Sequence, residues 1–424
     1  MTDLADELQI YGPDPELEAL FAELIMSETG RTNPYHYYAR FHSKAPIYNS
    51  SFGPVIFSRY DDCQRILRDN RFGKEEDTKS RRQERAAALG LSEKELQEAT
   101  RFFEGRTSLL FLNPPDHTRL RSLVSRAFTP RRVEQLKPHV EILTEEILSS
   151  LVGEVDVMES LAWKLPATVI CELLGVPVEL RETFRPLIRT AISLIEPNQT
   201  KEDFFKSIEA AETLTLLLTD LIEMRRRDPA DDLLSHLISV QDGTDRLSLE
   251  ELISTSVLLF MAGFETTTNL IGNGLYALLQ HPLEFESLFN DLTNIDLAVE
   301  ELLRFDSPVQ FDMRTALSNF NFGGIEFKRG QPAMTLLGAA NHDPTHFTNP
   351  EELNLKRDEG PPLSFASGIH YCLGASLARM EGRVVFSKLI ETFSSITLVD
   401  KMPERRNSIT LRGLKSLNVK LERR

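Results

Sequence analysis

Six segments with the periodicity of an amphipathic helix follow one another between residues 119 and 279, and they constrain the fold of this chain most. Apolar residues recur in each at the spacing of one helix face. The segments are residues 119–128, 133–151, 166–174, 178–195, 201–227 and 248–279. Further helices are predicted over residues 14–26 and 373–393. The sequence therefore predicts a mainly α fold.

Strand patterns are short and lie outside this helical region. They occur in residues 46–58, 325–327, 333–337 and 396–398, and they predict a smaller β-rich part. Residues 74–104 are dense in Lys, Arg and Glu with weak apolar periodicity, which is typical of one or two solvated helices in a long mobile excursion. We interpret this charged segment as a lid.

The charge balance argues against several classes of partner. The 424 residues include 48 basic and 64 acidic side chains, giving a formal net charge of −16, which removes long-range attraction to phosphate backbones and anionic lipids. Residues 1–10 lack the basic and apolar regions of a secretory signal, and the apolar stretch 257–263 is far shorter than a membrane span. We expect no nucleic-acid partner and no membrane, and three scattered cysteines fit a reducing cytoplasm.

One cysteine, Cys372, has a sequence context that suits a metal ligand. It follows a loop containing Gly368 and precedes a predicted helix. A thiolate at a helix start is stabilised by the helix dipole and by backbone N–H donors, and the flanking glycines let a flat group approach closely. The alternative is a buried small apolar residue, as Cys63 and Cys171 are expected to be.

A polar motif lies within the longest predicted helix, at residues 262–267 with the sequence Ala-Gly-Phe-Glu-Thr-Thr. Glycine and threonine disfavour a helix interior, so another gain must offset them. Ala262 and Thr266 share one face through their i,i+4 spacing. The small alanine could admit a ligand that the threonine hydroxyl reaches. The alternative is that Thr266 bonds back to the carbonyl four residues earlier.

Two further motifs place charges on predicted helices. Glu301 and Arg304 are neighbours at i,i+3 spacing, which by itself indicates a surface ion pair of small effect. His117 and Arg121 share one face of a helix that opens with two prolines, and Arg314 follows later in the chain. Without further context, these three side chains are equally consistent with exposed surface positions.

Together these motifs resemble those of the cytochrome P450 family. Residues 365–379 are similar to its haem-binding signature F-x-x-G-x-H-x-C-x-G-x-x-L-A-R, and residues 262–267 to its oxygen-activation motif. Residues 301–304 match its E-x-x-R motif and residues 117–121 an H-x-x-x-R motif. The resemblance extends over residues 35–421 and implies a soluble bacterial type with the triangular-prism P450 fold, mainly α with a smaller β-rich lobe. Residues 1–424 would form this single domain.

The resemblance also implies roles for individual residues. Cys372 is the proximal ligand of the iron of haem b, and Glu265 and Thr266 are catalytic residues that deliver protons during oxygen activation. The other haem-binding residues implied are His117, Arg121, Arg314, Phe365, His370 and Gly374, some of which would hold the propionates. The E-x-x-R residues form a buried structural pair. The arginine that often completes this pair is absent from residues 350–353, so no three-member network is assigned.

The implied activity is that of a monooxygenase in secondary metabolism or xenobiotic oxidation. It would use O2 and electrons from NAD(P)H, received through a ferredoxin and a ferredoxin reductase, to hydroxylate or epoxidise a lipophilic molecule of macrolide, terpenoid, steroid or fatty-acid type. The positions expected to contact substrate are Leu110, Phe111, Leu258, Ala262, Val309, Phe311 and Leu411. We expect a monomer that docks an acidic ferredoxin on an arginine cluster, the alternative being a solvated face. The cluster comprises Arg119, Arg126, Arg131 and Arg132.

Two other functions are compatible with a haem site. One is a peroxygenase driven by hydrogen peroxide, and the other is a non-catalytic haem sensor. The pair Glu265 and Thr266 argues against both, because peroxygenases of this family typically replace the pair and a sensor has no use for proton delivery.

Overall fold

Helices account for most of the computed structural model, which describes residues 9–74, 86–103, 108–196, 199–242 and 245–424. The helices are α1 (Pro15–Met26), α2 (Glu28–Thr32), α3 (Tyr35–Lys44), α4 (Tyr60–Arg68), α5 (Glu93–Phe103), α6 (Asp116–Ala127), α7 (Pro130–Ser149), α8 (Lys164–Leu173), α9 (Val178–Ala191), α10 (Lys201–Arg227), α11 (Leu233–Ser239), α12 (Leu249–Gln280), α13 (Pro282–Asn290), α14 (Ile295–Phe305), α15 (Leu337–Ala340) and α16 (Ala375–Thr392). Single 3-10 or π turns lie at Leu109–Phe111, Met158–Ala162, Ile192–Ile195, Leu363–Phe365 and Gly368–His370.

The strands form small sheets. They are β1 (Ile47–Asn49), β2 (Val55–Phe57), β3 (Phe72–Gly73), β4 (Gly153–Asp156), β5 (Gln241–Asp242), β6 (Asp245–Arg246), β7 (Asp312–Ala316), β8 (Phe320–Phe322), β9 (Ile325–Phe327), β10 (Pro332–Thr335), β11 (Phe393–Leu398) and β12 (Asn418–Arg423). One five-stranded sheet has the order β1-β2-β10-β7-β3, in which only β2 and β10 run parallel. A three-stranded antiparallel sheet has the order β11-β12-β4, and β5-β6 and β8-β9 are two-stranded pairs.

The mainly α fold predicted from the sequence is confirmed. Helices α6 to α10 and α12 correspond to the six predicted middle segments, and α10 has the predicted bounds. The elements that the sequence did not predict are mostly too short to show a period; they are α2, α3, α4, α11, α13, α15, β3, β4, β5, β6, β7, β8 and β12. Of the charged segment interpreted as a lid, residues 75–85 and 104 lie outside the described residues, and α5 accounts for residues 93–103.

The long helix α12 forms the centre of the helical part. Ser248 caps it, since its hydroxyl accepts the N–H of Glu251 while the Glu251 carboxylate accepts the N–H of Ser248. From there α12 extends for about 48 Å, and helices α8, α10 and α16 pack around it. Gly274 permits the close approach of α16, because a Cβ there would lie 2.7 Å from the ring of Phe386. The elements that bear the candidate site are thereby fixed to one rigid helix.

The apolarity of the helices bears on the expectation that the protein has no membrane segment. Within the described ranges, no single helix is both long and apolar enough to cross a bilayer. Among the helices of the described residues, one bent pair, Met158–Leu173 with Val178–Leu194, reaches the required length and composition jointly, across a bend of 120°.

Helix α16 buries an acid that the candidate chemistry does not use. Glu381 is 2% exposed, its Oε2 has no hydrogen-bond partner among the described residues, and burial raises its pKa from 4.5 to about 8. The pKa of Glu381 is higher in the folded state than in the unfolded state. Its contribution to folding stability is therefore fully present below pH 4.5 and is lost as the pH rises through 8.

We therefore expect Glu381→Gln to become progressively more stable than the wild type between pH 5 and pH 8.5. Urea unfolding of the haem-loaded protein at several pH values measures this difference. The exposed Glu286→Gln serves as the control and should show no such trend. A pH-independent difference between wild type and Glu381→Gln would contradict the assignment.

Candidate active site

Cys372 lies in the loop that precedes α16. Its N–H donates to the carbonyl oxygen of Phe365 at 3.1 Å, which closes the loop. The loop turns at Gly368, which has a φ of +71° and passes so close to α4 that a Cβ would lie 2.1 Å from the carbonyl oxygen of Leu67. Both requirements explain the glycine. The helix contact and the loop closure together fix the position of the cysteine.

The surroundings of the Cys372 thiol combine accessibility with stabilising groups. Burial by the surrounding protein raises the pKa of the thiol overall, although the backbone N–H groups of Gly374 and Ala375 and the charges of Arg121 and Arg379 act in the opposite direction. The side chain nevertheless has exposed surface, whereas the other two cysteines are buried. The N–H groups at the start of α16 thus support a thiolate, and the exposed surface lets a ligand reach it.

Two arginines brace the loop around the cysteine. The Arg379 guanidinium stacks over the Phe365 ring at 4.4 Å and donates to the Tyr371 hydroxyl at 2.9 Å. Arg121, which the sequence predicted as a cofactor clamp, donates its Nη2 to the Tyr371 carbonyl oxygen at 2.8 Å. In this arrangement Arg121 therefore binds the loop backbone.

The other predicted clamp residues meet in one buried group. The rings of His117 and His370 lie 4.3 Å apart, and their Nε2 atoms have no hydrogen-bond partner among the described residues. All three guanidinium nitrogens of Arg314, on β7, are likewise buried and unpartnered. Desolvation, followed by the charges of Arg314 and Lys74, lowers the pKa of His370 to about 3. Because buried polar groups are normally hydrogen-bonded, five such nitrogens together indicate a site for an anionic ligand.

The charge around Arg314 supports this interpretation. Asp312 lies 3.1 Å from the Arg314 Nε without hydrogen-bond geometry, and its other oxygen lies 3.0 Å from Nζ of the buried Lys74. Burial raises the pKa of Asp312, but the two cations outweigh it and lower the pKa overall. One carboxylate against two cations leaves an excess positive charge. The two carboxylates of a haem fit these donors and this charge, and Lys74 is a member of the group that the sequence did not reveal.

The oxygen-activation motif on α12 has an exposed alanine and a back-bonded threonine. Ala262 is exposed in mid-helix, and the Thr266 hydroxyl donates to the Ala262 carbonyl oxygen at 2.8 Å. This bond is the alternative that the sequence left open. It occupies the hydroxyl proton, so the lone pairs of the Thr266 oxygen stay available as acceptors.

Glu265 is buried and has a partner that the motif did not predict. Its Oε1 is bound by Arg406 Nη1, and its Oε2 has no hydrogen-bond partner in the described part of the chain. Burial raises its pKa, the Arg406 charge lowers it, and Glu196 raises it, with a net increase. One carboxylate oxygen is thus anchored and the other is free to exchange a proton.

The E-x-x-R residues form a buried network with a third member. Arg304 binds both oxygens of Glu301, at 2.7 and 2.9 Å, and donates to the carbonyl oxygens of Asn341 and Pro350 at 2.8 Å. Arg357 also binds Glu301, through its Nε at 3.1 Å. The third member, which the sequence did not allow us to assign, is thus an arginine seven residues beyond Pro350.

The predicted substrate positions occupy different surroundings. Leu110 and Phe111 are exposed on the turn that contacts α12, and Val309 pairs with Leu411 in a β-bridge. Leu258, on α12, is half-buried against the helical core. Phe311 packs against the apolar cluster of α1 and α3. No contact among the described residues joins all of these positions. Each therefore contributes a separate apolar surface.

The predicted docking cluster loses one member. Arg119 forms ion pairs with Asp245, at 3.1 Å, and with Glu251 at the start of α12. Its charge is thereby neutralised, which excludes it from the cluster. Arg126 and Arg131 are exposed. Both follow Arg121 in the sequence, and Arg121 contacts the cysteine loop.

Comparisons with known proteins agree with this geometry. The family model described as Cytochrome P450 matches residues 178–422. The chain is 39% identical to the polyketide biosynthesis cytochrome P450 PksS of Bacillus subtilis, over 92% of this chain and 96% of that protein. It is 37% identical to the vitamin D(3) 25-hydroxylase of Pseudonocardia autotrophica, over 93% and 95% of the two chains, and 36% identical to the 6-deoxyerythronolide B hydroxylase of Saccharopolyspora erythraea, over 94% and 98%.

Solved structures show the same similarity. P450BioI, in complex with an acyl carrier protein ligated to hexadec-9Z-enoic acid, superposes with a TM-score of 0.83 at 33% identity, covering 93% of this chain and all of that one. PksS of Bacillus subtilis superposes with a TM-score of 0.82 at 36% identity, covering 94% and 99%. The chain therefore belongs to the cytochrome P450 family and is a cytochrome P450 monooxygenase.

Proposed function

We propose that this monooxygenase binds haem b through the Cys372 thiolate and oxidises a lipophilic small molecule with electrons delivered by a ferredoxin. The observation that supports it most is the group of five buried nitrogens on His117, His370 and Arg314 that have no hydrogen-bond partner among the described residues, together with the accessible thiol of Cys372 two residues beyond His370. When bound, haem with a thiolate ligand supplies the activation of O2 for transfer of one oxygen atom to the substrate. Residues 1–424 would act as one domain.

The protein would hold this cofactor at two sides. The Cys372 thiolate is oriented by the backbone bond to Phe365 and supported by the N–H groups at the start of α16. Arg314 and the two histidines would donate hydrogen bonds to the propionates. These bonds would satisfy donors that otherwise have no acceptor among the described residues.

Glu265 and Thr266 would manage protons on α12. The Thr266 oxygen accepts a hydrogen bond from water, because its own proton is donated to the Ala262 carbonyl oxygen. The free Oε2 of Glu265 takes up and releases protons, while Oε1 stays with Arg406. Its raised pKa favours such exchange, since a general acid works best when its pKa lies near the operating pH.

We predict that Thr266→Ala lowers the fraction of NAD(P)H consumption that yields product by about 10-fold or more, with a matching rise in hydrogen peroxide. NAD(P)H consumption, product and peroxide are measured together with surrogate ferredoxin partners. The matched control is Thr268→Ala, which removes a hydroxyl with the same back-bond, to Phe264, but buried elsewhere on α12. Unchanged coupling in Thr266→Ala would refute the proton role.

The same assay separates the alternative functions. Product formed with hydrogen peroxide but not with NAD(P)H and ferredoxin would indicate a peroxygenase. Haem binding with no product from either would indicate a sensor.

Electrons would enter beside the cysteine loop. We predict that the double reversal Arg126→Glu and Arg131→Glu lowers the association rate of an acidic ferredoxin at least about 10-fold at low salt, because opposite charges steer the encounter. Stopped-flow mixing at several salt concentrations measures the rate and its salt dependence. The control, Arg226→Glu with Arg227→Glu at the end of α10, makes the same change in net charge. Equal association rates for the two variants would contradict this docking site.

The proposed substrate class is supported by the apolar residues expected to contact the substrate and by the similar proteins of known name. Leu110, Phe111, Val309 and Leu411 are apolar, which suits a lipophilic ligand. The names of the relatives refer to polyketide biosynthesis, vitamin D(3) and 6-deoxyerythronolide B. We propose a substrate of macrolide, terpenoid, steroid or fatty-acid type, to be identified by spectral titration with a panel of these four classes.

A further inference from the structure

Glu196, which directly follows the 3-10 turn at the end of α9, binds a turn near the end of the chain. Its Oε1 accepts the Ser408 hydroxyl at 2.6 Å, and its Oε2 accepts the backbone N–H of Ile409 at 3.0 Å and of Thr410 at 3.3 Å. The N–H of Leu411 points at the same carboxylate, at 3.4 Å. A charged acceptor shared by four donors is a strong, directional connection.

The turn is also fixed on its other side. The Arg412 N–H donates to the Pro308 carbonyl oxygen at 2.8 Å, and the Gln310 N–H donates to the Thr410 carbonyl oxygen at 3.1 Å. Residues 408–412 are therefore held between the strand-like segment 308–310 and the Glu196 carboxylate. If Glu196 were removed, the backbone N–H groups of Ile409 and Thr410 would lose this acceptor, whereas the Leu411 N–H also donates to the Ser408 hydroxyl oxygen at 3.0 Å.

The arginine that anchors Glu265, Arg406, directly flanks this turn. Arg406 binds Oε1 of Glu265, and its own N–H donates to the Gly413 carbonyl oxygen at 3.0 Å, across the turn that Glu196 holds. The Arg406 guanidinium also stacks over the Trp163 ring at 5.2 Å. Its position relative to α12 thus depends on the position of the turn.

We propose that Glu196 is a positioning residue, whose carboxylate fixes the turn 408–411 and thereby the Arg406 guanidinium that holds Glu265 in place. This inference rests on the proposed proton role of Glu265. It makes the Glu196 carboxylate, whose charge also raises the pKa of Glu265 directly, a determinant of how efficiently protons are delivered.

The first test measures whether Glu196 protects the backbone amides of the turn. In the haem-loaded protein without substrate, hydrogen exchange at the amides of Ile409 and Thr410 should be at least tenfold faster in Glu196→Ala and in the isosteric Glu196→Gln than in wild type. The Arg412 amide, bonded to Pro308, is the internal reference and should not change. Glu179→Gln, an exposed acid in the first turn of the same helix, is the matched control. Wild-type exchange rates in both Glu196 variants would overturn the proposal.

The second test reads the consequence for Glu265. The peroxide released per NAD(P)H should rise severalfold in Glu196→Gln and in Arg406→Gln. The double variant Glu196→Gln with Arg406→Gln should release no more peroxide per NAD(P)H than either single variant. Arg406→Lys should release less peroxide than Arg406→Gln, because the lysine restores part of the coupling. Faster exchange with unchanged peroxide yield would make the contact merely structural and would overturn the proposal. A wild type that oxidises nothing with NAD(P)H would instead overturn the proposed function, and the Glu179→Gln control would show the same failure.

Discussion

Replacing Cys372 with alanine is expected to abolish the long-wavelength absorbance band of the reduced, carbon monoxide-bound protein and to lower NAD(P)H-dependent turnover by about a thousandfold or more. The reason is that the axial thiolate sets the electronic character of the haem. Neither Cys63 nor Cys171 can replace it, because both are fully buried and offer no exposed thiol surface to a ligand.

The control for this prediction is Cys171→Ala, which removes a cysteine from the helical core on α8. It should retain the band and the turnover. A Cys372→Ala protein with an unchanged band would show that another group binds the iron, and the assignment of the candidate site would fail.

The second large effect is expected for Glu301→Gln, which should destabilise the protein by about 3–5 kcal/mol. Glu301 is the shared carboxylate of Arg304 and Arg357, and the exposed fractions of the three side chains are 1%, 1% and 6%. The variant leaves two buried cations without this anion, so the cost is the uncompensated charge as well as the lost bonds. Urea unfolding of the haem-loaded protein measures it.

Glu359→Gln is the matched control, because Glu359 binds the same Arg357 but is 31% exposed. Water can replace much of that interaction, so its loss should cost less than about 1 kcal/mol. Equal destabilisation by the two substitutions would contradict a special role for the buried network.

The sequence was sufficient to predict the helices with long apolar periods and the local motifs. The cysteine loop, the helix start behind it and the helical register of Ala262 and Thr266 all depend on residues within about one or two helical turns of each other. The resemblance to cytochromes P450 then predicted the fold, which the comparisons confirm. Predictions of this kind succeed because their physical cause is local.

The contacts that the sequence did not predict join distant parts of the chain. Arg406 reaches Glu265, and Glu196 reaches Ile409, although neither residue lies in a motif or at a helical spacing from its partner. Arg357 completes the Glu301 network from outside the segment in which an arginine was expected. A lone Arg or Glu in a loop has the same local pattern as a solvated charge, so only the folded geometry distinguishes them.

The hydroxyl of Thr266 illustrates the same limit within one helix. The motif indicated a side chain that reaches a ligand, and the back-bond to the Ala262 carbonyl oxygen was left open as the alternative. Whether the hydroxyl bonds back or reaches a ligand depends on the χ1 rotamer of Thr266. Sequence patterns do not determine this rotamer. In the structure the back-bond forms, and the lone pairs of the same oxygen remain available to accept a hydrogen bond.

The most direct test of this account is the absorbance spectrum of the purified, dithionite-reduced protein under carbon monoxide. We predict a Soret band at the long wavelength from which the family takes its name, which would establish haem bound through the Cys372 thiolate. A well-folded protein with no haem band, or with a band at the shorter wavelength typical of histidine or neutral-thiol ligation, would contradict the central claim.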